Sequence, residues 1–460
     1  MSHSLSSDTE QFQAFQKARM SRDKRFDGKF FVAVKTTKIF CRNTCTVKLP
    51  KEENVDYYLI AAQAMESGYR PCLRCRPESA PGSFAWLGTE TTVSRALRLL
   101  HGEPEQSIEH LSERLGVSDR YLRKLFQQHV GMSPKQYQLA QRLLFAKSLL
   151  HQTSLSIENV AISSGFNSSR RLQDNFLKHF NLQPNKIRTN QVAREVTHTL
   201  NIFLPYRAPY NFDYVRNFLK VRQIEGIEEI TENAYGRRFT WQGVKGEFCA
   251  TVNIEQQGFD VAIKLDDLSF LYQVIQNIKR VLDLDLDSTS ITEQLKTSGV
   301  DEDSIVQGIR LPGVWSLFEA GCRAILGQQI SIKAAITHLN EVVRRINIAK
   351  GREEFVFPSP EEIASFDLSF LKMPNRRKET LKAFAQYVAD NPNADAEDWL
   401  SIKGVGPWTV AYAKMRGNSD PDIWLGSDLV IKKAMALQNI NPDNSKPWRS
   451  YLTFQMWSTM

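Results

Sequence analysis

The chain has 460 residues, with 59 Lys+Arg against 51 Asp+Glu, a formal net charge of +8 and a sequence pI near 9.0. A 42% hydrophobic and 24% charged composition suits several globular cores and excludes a collagenous, largely disordered or disulfide-dense chain. No stretch approaches the ~18 uninterrupted apolar residues of a membrane span, and Met1–Glu10 lacks the basic start and apolar core of a signal peptide, so a soluble cytoplasmic protein of about three domains is expected.

The charge is uneven. Residues 1–80 carry a surplus of 5 basic side chains, residues 81–190 a surplus of 6, and residues 191–460 a deficit of 3. A basic front half favours a polyanionic partner such as DNA. Four of the six cysteines fall in that front segment, Cys41 and Cys45 in CRNTC, Cys72 and Cys75 in CLRC. Two close pairs on tight loops let four sulfurs converge on one Zn²⁺ as thiolates. Two disulfides or free buried thiols are the alternatives, and a reducing compartment disfavours the first. Cys249 and Cys322 are isolated and read as packing cysteines.

The segments FFVAVKTTKIFCRNTC, ENVDYY and AMESGYRPCLRCRPE, from Phe30 to about Pro77, resemble the zinc domain of the bacterial Ada proteins. That resemblance implies a zinc-bound nucleophile at Cys41 that takes a methyl group irreversibly from a methylphosphotriester in DNA, with Cys45, Cys72 and Cys75 as the other ligands. Arg42 is then a candidate phosphate contact. Four thiolates on one Zn²⁺ leave excess negative charge, so methylation of one should strengthen DNA binding.

Next comes an internal repeat, Ser107–Pro134 and Ser156–Pro184, in which Ile108, Gly116 and Leu122 match Ile157, Gly165 and Leu172. Each copy reads as a capped short helix, a Gly turn needing positive φ, and a Ser-started second helix: helix-turn-helix. The exposed faces of the second helices carry Arg120, Arg123 and Lys124, then Arg170 and Arg171, suited to phosphates and base edges in a major groove. A helix over Gln138–Leu150 is expected to join the units. The tandem pair with its GMSP ending resembles the AraC-family DNA-binding domain over roughly residues 90–190.

After about residue 195 the texture changes. Thr199–Pro205, Arg238–Trp241, Phe248–Ile254 and Phe259–Ile263 are strand-like, with helices expected near 212–223 and 267–282 and helical sequence from Leu311 onward. Gly404-Val405-Gly406 is a candidate helix-hairpin-helix turn, whose amides, with a monovalent cation, can meet a DNA phosphate. Asp428, after Gly426-Ser427, taken alone reads as a helix N-cap.

Hairpin and downstream Asp together, with IRLPG, RAILGQQ, GVGPWTVAYAKMRG and KPWRSY, resemble the helix-hairpin-helix glycosylases of the AlkA type, the 3-methyladenine glycosylase II group, over about residues 198–460. The resemblance implies that Asp428 stabilises positive charge developing on the sugar as the N-glycosidic bond breaks. It also implies an aromatic pocket for the electron-poor base, lined by Phe218, Trp408, Tyr412 and Trp457. Trp408 stands where strand-cleaving relatives carry a Schiff-base lysine, which predicts a monofunctional enzyme. No C-terminal cysteine cluster signals an iron–sulfur centre, and no PCHR-type segment signals a guanine-repairing methyltransferase module. Gln329, where the family can present an apolar wedge, is expected to plug the gap left by the flipped base.

The expected fold class is a multidomain α+β protein. It comprises a four-cysteine zinc domain (1–82), an all-α tandem helix-turn-helix domain (88–192), an α/β lobe (197–295) and an all-α helix-hairpin-helix glycosylase domain (296–460). The expected function is an alkylation-response regulator joined to a base-excision enzyme. Its expected partners are alkylated and promoter double-stranded DNA and RNA polymerase, with no membrane, and it is expected to act as a monomer associated with the bacterial nucleoid. The rival readings are a transcription activator whose glycosylase-like half only grips DNA, and a zinc module without methyl transfer.

Overall fold

The computed structural model describes residues 10–23, 26–75, 77, 93, 96–97, 99–100, 106–187, 199–392, 394–437 and 440–458. They form two compact units, one of residues 1–205 with 267–276, the other of residues 206–266 with 277–460. The boundaries expected at 82, 88, 192 and 197, and Arg188, lie outside the described residues.

The first unit opens with α1 (Glu10–Met20), followed by a four-stranded sheet of β1 (Phe31–Val34), β2 (Ile39–Arg42), β3 (Val55–Tyr58) and β4 (Arg70–Pro71) in the order β3-β1-β2-β4. Phe15 of α1 stacks on buried Phe30 at 4.2 Å, and both rings lie against Tyr57, so three aromatics supply much of a core too small for a second layer of strands. Buried Arg19 fixes α1 to the sheet by bonding Tyr57 Oη at 3.0 Å and pairing with Glu52. Strand β2 pairs with β1 and β4, and α2 (Ala61–Glu66) sits between β3 and β4 in the chain. The sheet thereby carries Cys41 on β2 and delivers Cys72 directly after β4.

The repeat folds as two helix-turn-helix units. These are α3 (Ile108–Leu115) with α4 (Asp119–His129), and α6 (Ile157–Ser163) with α7 (Ser169–Phe180), joined by α5 (Pro134–Gln152). Five serines, Ser107, Ser118, Ser133, Ser156 and Ser168, cap these helices through hydrogen bonds from the third helical amide. Gly116 and Gly165 have φ +66° and +73°, the left-handed turn the repeat requires. Leu122 and Leu172, matched in the repeat, are both fully buried. The joining helix starts four residues earlier than expected, because Pro134 at its first turn and the Ser133–Gln136 capping box set its end. The zinc module leans on this domain: Gln63 Nε2 donates to the Val130 carbonyl at 2.9 Å and Gln136 Nε2 to Glu66 at 2.6 Å.

Strand β5 (Leu200–Pro205) closes the first segment of that unit. In the second unit, α8 (Phe212–Lys220), capped by Asn211, precedes an antiparallel meander of β6 (Glu228–Ile230), β7 (Ala234–Trp241), β8 (Val244–Asn253) and β9 (Gly258–Leu265). Strand β7 begins four residues before the expected Arg238, since Ala234–Arg237 pair with Thr251–Phe248 despite the weak strand signal of Ala-Tyr-Gly. Cys249 is exposed, correcting its reading as a packing cysteine. Strand alternation turns Phe248 and Ala250 inward and Cys249 outward, whereas Cys322 is buried as expected.

The expected helix near 267–282 begins as a short 3-10 turn and continues as α9 (Leu271–Leu282). Helix α10 (Ser288–Thr297) spans the boundary expected at 295, so a helix rather than a linker joins the lobes. The helical lobe consists of α11 (Leu317–Leu326), α12 (Ile332–Ala349), α13 (Pro360–Ser365), α14 (Asn375–Asp390), α15 (Pro407–Gly417), α16 (Leu429–Leu437) and α17 (Arg449–Ser458). Its core gathers Leu326, Leu339, Phe384 and Trp399. A buried ion cluster ties sheet to helix: Arg237 of β7 bonds Glu228 at 2.8 Å and Glu319 of α11, which also receives Arg323. No helix among the described residues is long and apolar enough to cross a membrane.

Candidate functional sites

The sulfur atoms of Cys41, Cys45, Cys72 and Cys75 lie within 4.8 Å of one another, three of the residues buried and Cys75 half-buried, and none is in a disulfide. Tetrahedral zinc with bonds of about 2.3 Å needs sulfurs about 3.8 Å apart, so small shifts would complete the shell. The electrostatics fit a cation. Hydrogen bonding from Cys72 and Cys75, then burial, push the Cys41 thiol far up, while the bonds from Cys41 and Cys75 pull Cys72 far down. Four thiolates therefore coexist here only around a positive ion. The Arg42 amide donates to Cys75 Sγ at 3.4 Å, which draws charge from that sulfur, and no amide among the described residues does so for Cys41. The guanidinium of Arg42 is held in a two-point pair with Asp27, with one bond of 2.7 Å, so a phosphate would compete for it. Cys75 is the one residue of the four that is half-buried rather than buried, a feature invisible in the spacing.

On the second helices of the two helix-turn-helix units, Arg120, Arg123, Lys124, Arg170 and Arg171 are all exposed. Arg123 pairs with Asp119 at 2.6 Å, an exposed contact worth about 0.5 kcal/mol and easily exchanged for a phosphate.

In the helical lobe, Gly404 has φ +94°, and a Cβ there would lie 2.3 Å from Thr380 Oγ1. Gly404→Ala should therefore cost about 2–5 kcal/mol in a urea melt, combining left-handed strain with overpacking. Gly406 precedes Pro407 at the start of α15 and has φ −115°, with nothing within 4 Å of where a Cβ would stand. Gly406→Ala should cost about 1 kcal/mol or less in the same melt, since only a weak cap is lost.

Helix α15 presents Trp408 and Tyr412 one turn apart, stacked at 5.3 Å. Trp457 of α17 lies 6.4 Å from Tyr412 and 6.3 Å from Phe218, nearly parallel to the latter. The four aromatics expected from the sequence thus converge. Asp428 Oδ1 accepts from the Val430 amide at 2.9 Å and lies 3.5 Å from Trp457 Nε1, while Oδ2 has no hydrogen-bond partner among the described residues. Asp428 caps α16, and the same side chain also faces the aromatic group. Gln329 is exposed with φ +58° in the turn between α11 and α12, and the neighbouring Gln328 Nε2 donates to the Gly404 carbonyl at 3.0 Å.

Two arginines were not anticipated. Arg222 lies 3.7 Å and Arg416 4.7 Å from the Phe218 ring centre, and Arg416 NH1 donates to Tyr412 Oη at 3.2 Å. Burial alone would raise the Tyr412 hydroxyl, but Arg416, Arg222 and Arg323 overcome it and hold it below the ordinary tyrosine value. Spacing carried a signal: each arginine follows its aromatic partner by four residues, Arg416 within α15 and Arg222 in the turn just past α8.

Residues 14–78 match the metal-binding domain of Ada, residues 111–190 a helix-turn-helix domain, and residues 201–316 the AlkA N-terminal domain. A probable bifunctional transcriptional activator/DNA repair enzyme AlkA from Mycobacterium tuberculosis is 34% identical over 98% of this chain and 96% of its own length. The bifunctional transcriptional activator/DNA repair enzyme Ada of Escherichia coli is 35% identical over 33% of this chain and 41% of its own. The DNA-3-methyladenine glycosylase 2 of the same organism is 26% identical over 56% of this chain and 96% of its own.

Proposed function

Because the chain belongs to the family of bifunctional transcriptional activators and DNA repair enzymes of the AlkA kind, with an Ada-type metal-binding domain and a helix-turn-helix domain ahead of an AlkA-type glycosylase region, we propose that it senses alkylation with one end and removes alkylated bases with the other. The glycosylase region hydrolyses the N-glycosidic bond of alkylated purines such as 3-methyladenine and leaves an abasic site, without cleaving the strand. A purine alkylated on a ring nitrogen already carries positive charge, so its departure requires charge stabilisation more than protonation. Asp428 supplies that charge at the sugar, and Trp408, Tyr412, Trp457 and Phe218 receive the extruded base. Gln329 fills the gap in the stack. The observation that carries this reading is the carboxylate of Asp428, whose Oδ2 has no hydrogen-bond partner among the described residues, beside the converged aromatic rings.

At the other end, Cys41, Cys45, Cys72 and Cys75 hold Zn²⁺, which lowers thiol pKa and keeps the sulfurs as thiolates. Cys41 attacks the methyl carbon of a DNA methylphosphotriester: an S–C bond forms, the C–O bond breaks, and its electron pair leaves with the phosphate. The helix-turn-helix pair then places the methylated protein on promoter DNA through Arg120, Arg123, Lys124, Arg170 and Arg171, and RNA polymerase is the partner of the activated complex. The protein acts as a cytoplasmic, nucleoid-associated monomer, and the hairpin at Gly404 and Gly406 would hold a monovalent cation, which would supply positive charge for a DNA phosphate. The decisive experiment measures free alkylpurine released from methylated DNA by the full-length protein. Release supports the enzyme; intact DNA with promoter binding retained would leave a regulator whose second half only grips DNA, a reading the cap geometry of Asp428 by itself would satisfy.

A further inference from the structure

The catalytic half carries a net charge of −3 over residues 191–460, yet its basic side chains are not evenly placed. Residues 372–382 hold Lys372, Arg376, Arg377, Lys378 and Lys382 against the single acid Glu379. None of the five, nor Lys403 in the hairpin, forms an ion pair among the described residues. Elsewhere on this lobe Arg344 and Arg345 sit beside Glu341, Lys414 beside Glu397 and Lys446 beside Asp443, while the exposed Lys333, Lys350, Lys432 and Lys433 are scattered singly or in one pair; only residues 372–382 with Lys403 gather this many cations without an ion pair among the described residues. A concentration of unpaired like charge repels itself, and a polyanion relieves the repulsion.

The placement of this cluster is fixed. Thr380 Oγ1 lies 2.9 Å from the Arg376 carbonyl and 3.1 Å from that of Lys403, so the first turns of α14 and the hairpin are side by side. Arg376 and Arg377 precede Thr380 by four and three residues and share its side of the helix. The Gln328–Gly404 bond brings the exposed Gln329 to the same hairpin from the other flank. The Gly406 amide, at the cap of α15, donates to no acceptor among the described residues.

We propose that Lys372, Arg376 and Arg377, with Lys403, form a phosphate track that continues the hairpin along duplex DNA and gives the glycosylase half its own grip on substrate. The track rests on the glycosylase reading for its purpose but not for its test. In the full-length protein, Arg376→Gln/Arg377→Gln/Lys403→Gln should lower the slope of log affinity against log salt on undamaged, operator-free duplex by about 3, at about 0.9 per lost phosphate contact. On duplex carrying one alkylated purine, KM near 150 mM salt should rise roughly tenfold or more, because each lost contact acts on binding alone. The single-turnover rate at saturating DNA should stay within about twofold. An unchanged slope and KM would show the cluster to be a solvated face and overturn the track, as would loss of RNA binding with duplex binding intact. Absence of base release by the unsubstituted protein would count against the glycosylase reading alone, since the salt slope requires no chemistry.

Discussion

Asp428→Asn should release alkylated purines about 10²–10³-fold more slowly than the parent protein in single-turnover assays, while binding lesion-bearing duplex with unchanged affinity. The size follows from removing one full charge from beside a developing oxocarbenium ion in a site partly closed to water, worth about 3–4 kcal/mol. Asn is the informative replacement because the structure gives Asp428 a second task. Its Oδ1 accepts from the Val430 amide at 2.9 Å and caps α16. Asn caps a helix about as well as Asp, so the helix and the indole contact of Trp457 persist while the charge disappears. Asp428→Ala would remove both and add about 1 kcal/mol of instability, blurring the result. Equal base release by the Asn variant and the parent would sink the catalytic assignment and leave Asp428 as a cap alone. A parallel loss of DNA binding would point to distortion of the hairpin instead.

What is legible in the sequence follows the range of each signal. Local patterns read well: the paired cysteines and the Ser-capped repeat with its two left-handed glycines. The convergence of Phe218, Trp408, Tyr412 and Trp457 spans more than 200 positions and followed only from family resemblance, since no periodicity connects α8 with α17. Gly404 is legible as a turn, but its tight contact with Thr380 depends on how α14 packs and leaves no trace in the chain order. Cys249 defeats sequence reasoning because a single cysteine says nothing about which face of a strand it occupies. Net charge misleads in another way: a total of −3 over the second half hides the basic run of residues 372–382, and only the fold shows that this run lies beside the hairpin.

Cys41→Ser should abolish both methyl uptake from DNA methylphosphotriesters and the gain in promoter affinity that methylation brings. With Zn²⁺ and four thiolates the site carries a net charge of about −2; transfer of one methyl makes it about −1. Facing several phosphates across a water-rich interface, that change is worth about 1–3 kcal/mol, or about 10- to 100-fold in affinity, and it should shrink as salt is raised. Burial complicates the choice of nucleophile: Cys41 is 6% exposed, whereas Cys75 is more open but has its sulfur engaged by the Arg42 amide. An amide donor withdraws charge from a thiolate and slows its attack, so the reactivity of the sulfurs favours Cys41 although the Cys75 residue is the more exposed. Peptide mass spectrometry after exposure to alkylated DNA resolves them, with an increase of about 14 daltons (CH₃ in place of H) expected on the peptide containing Cys41 and none on that containing Cys72 and Cys75. A methyl on Cys75, or an undiminished methylation-dependent gain in the Cys41→Ser protein with its zinc content retained, would move the switch to another ligand.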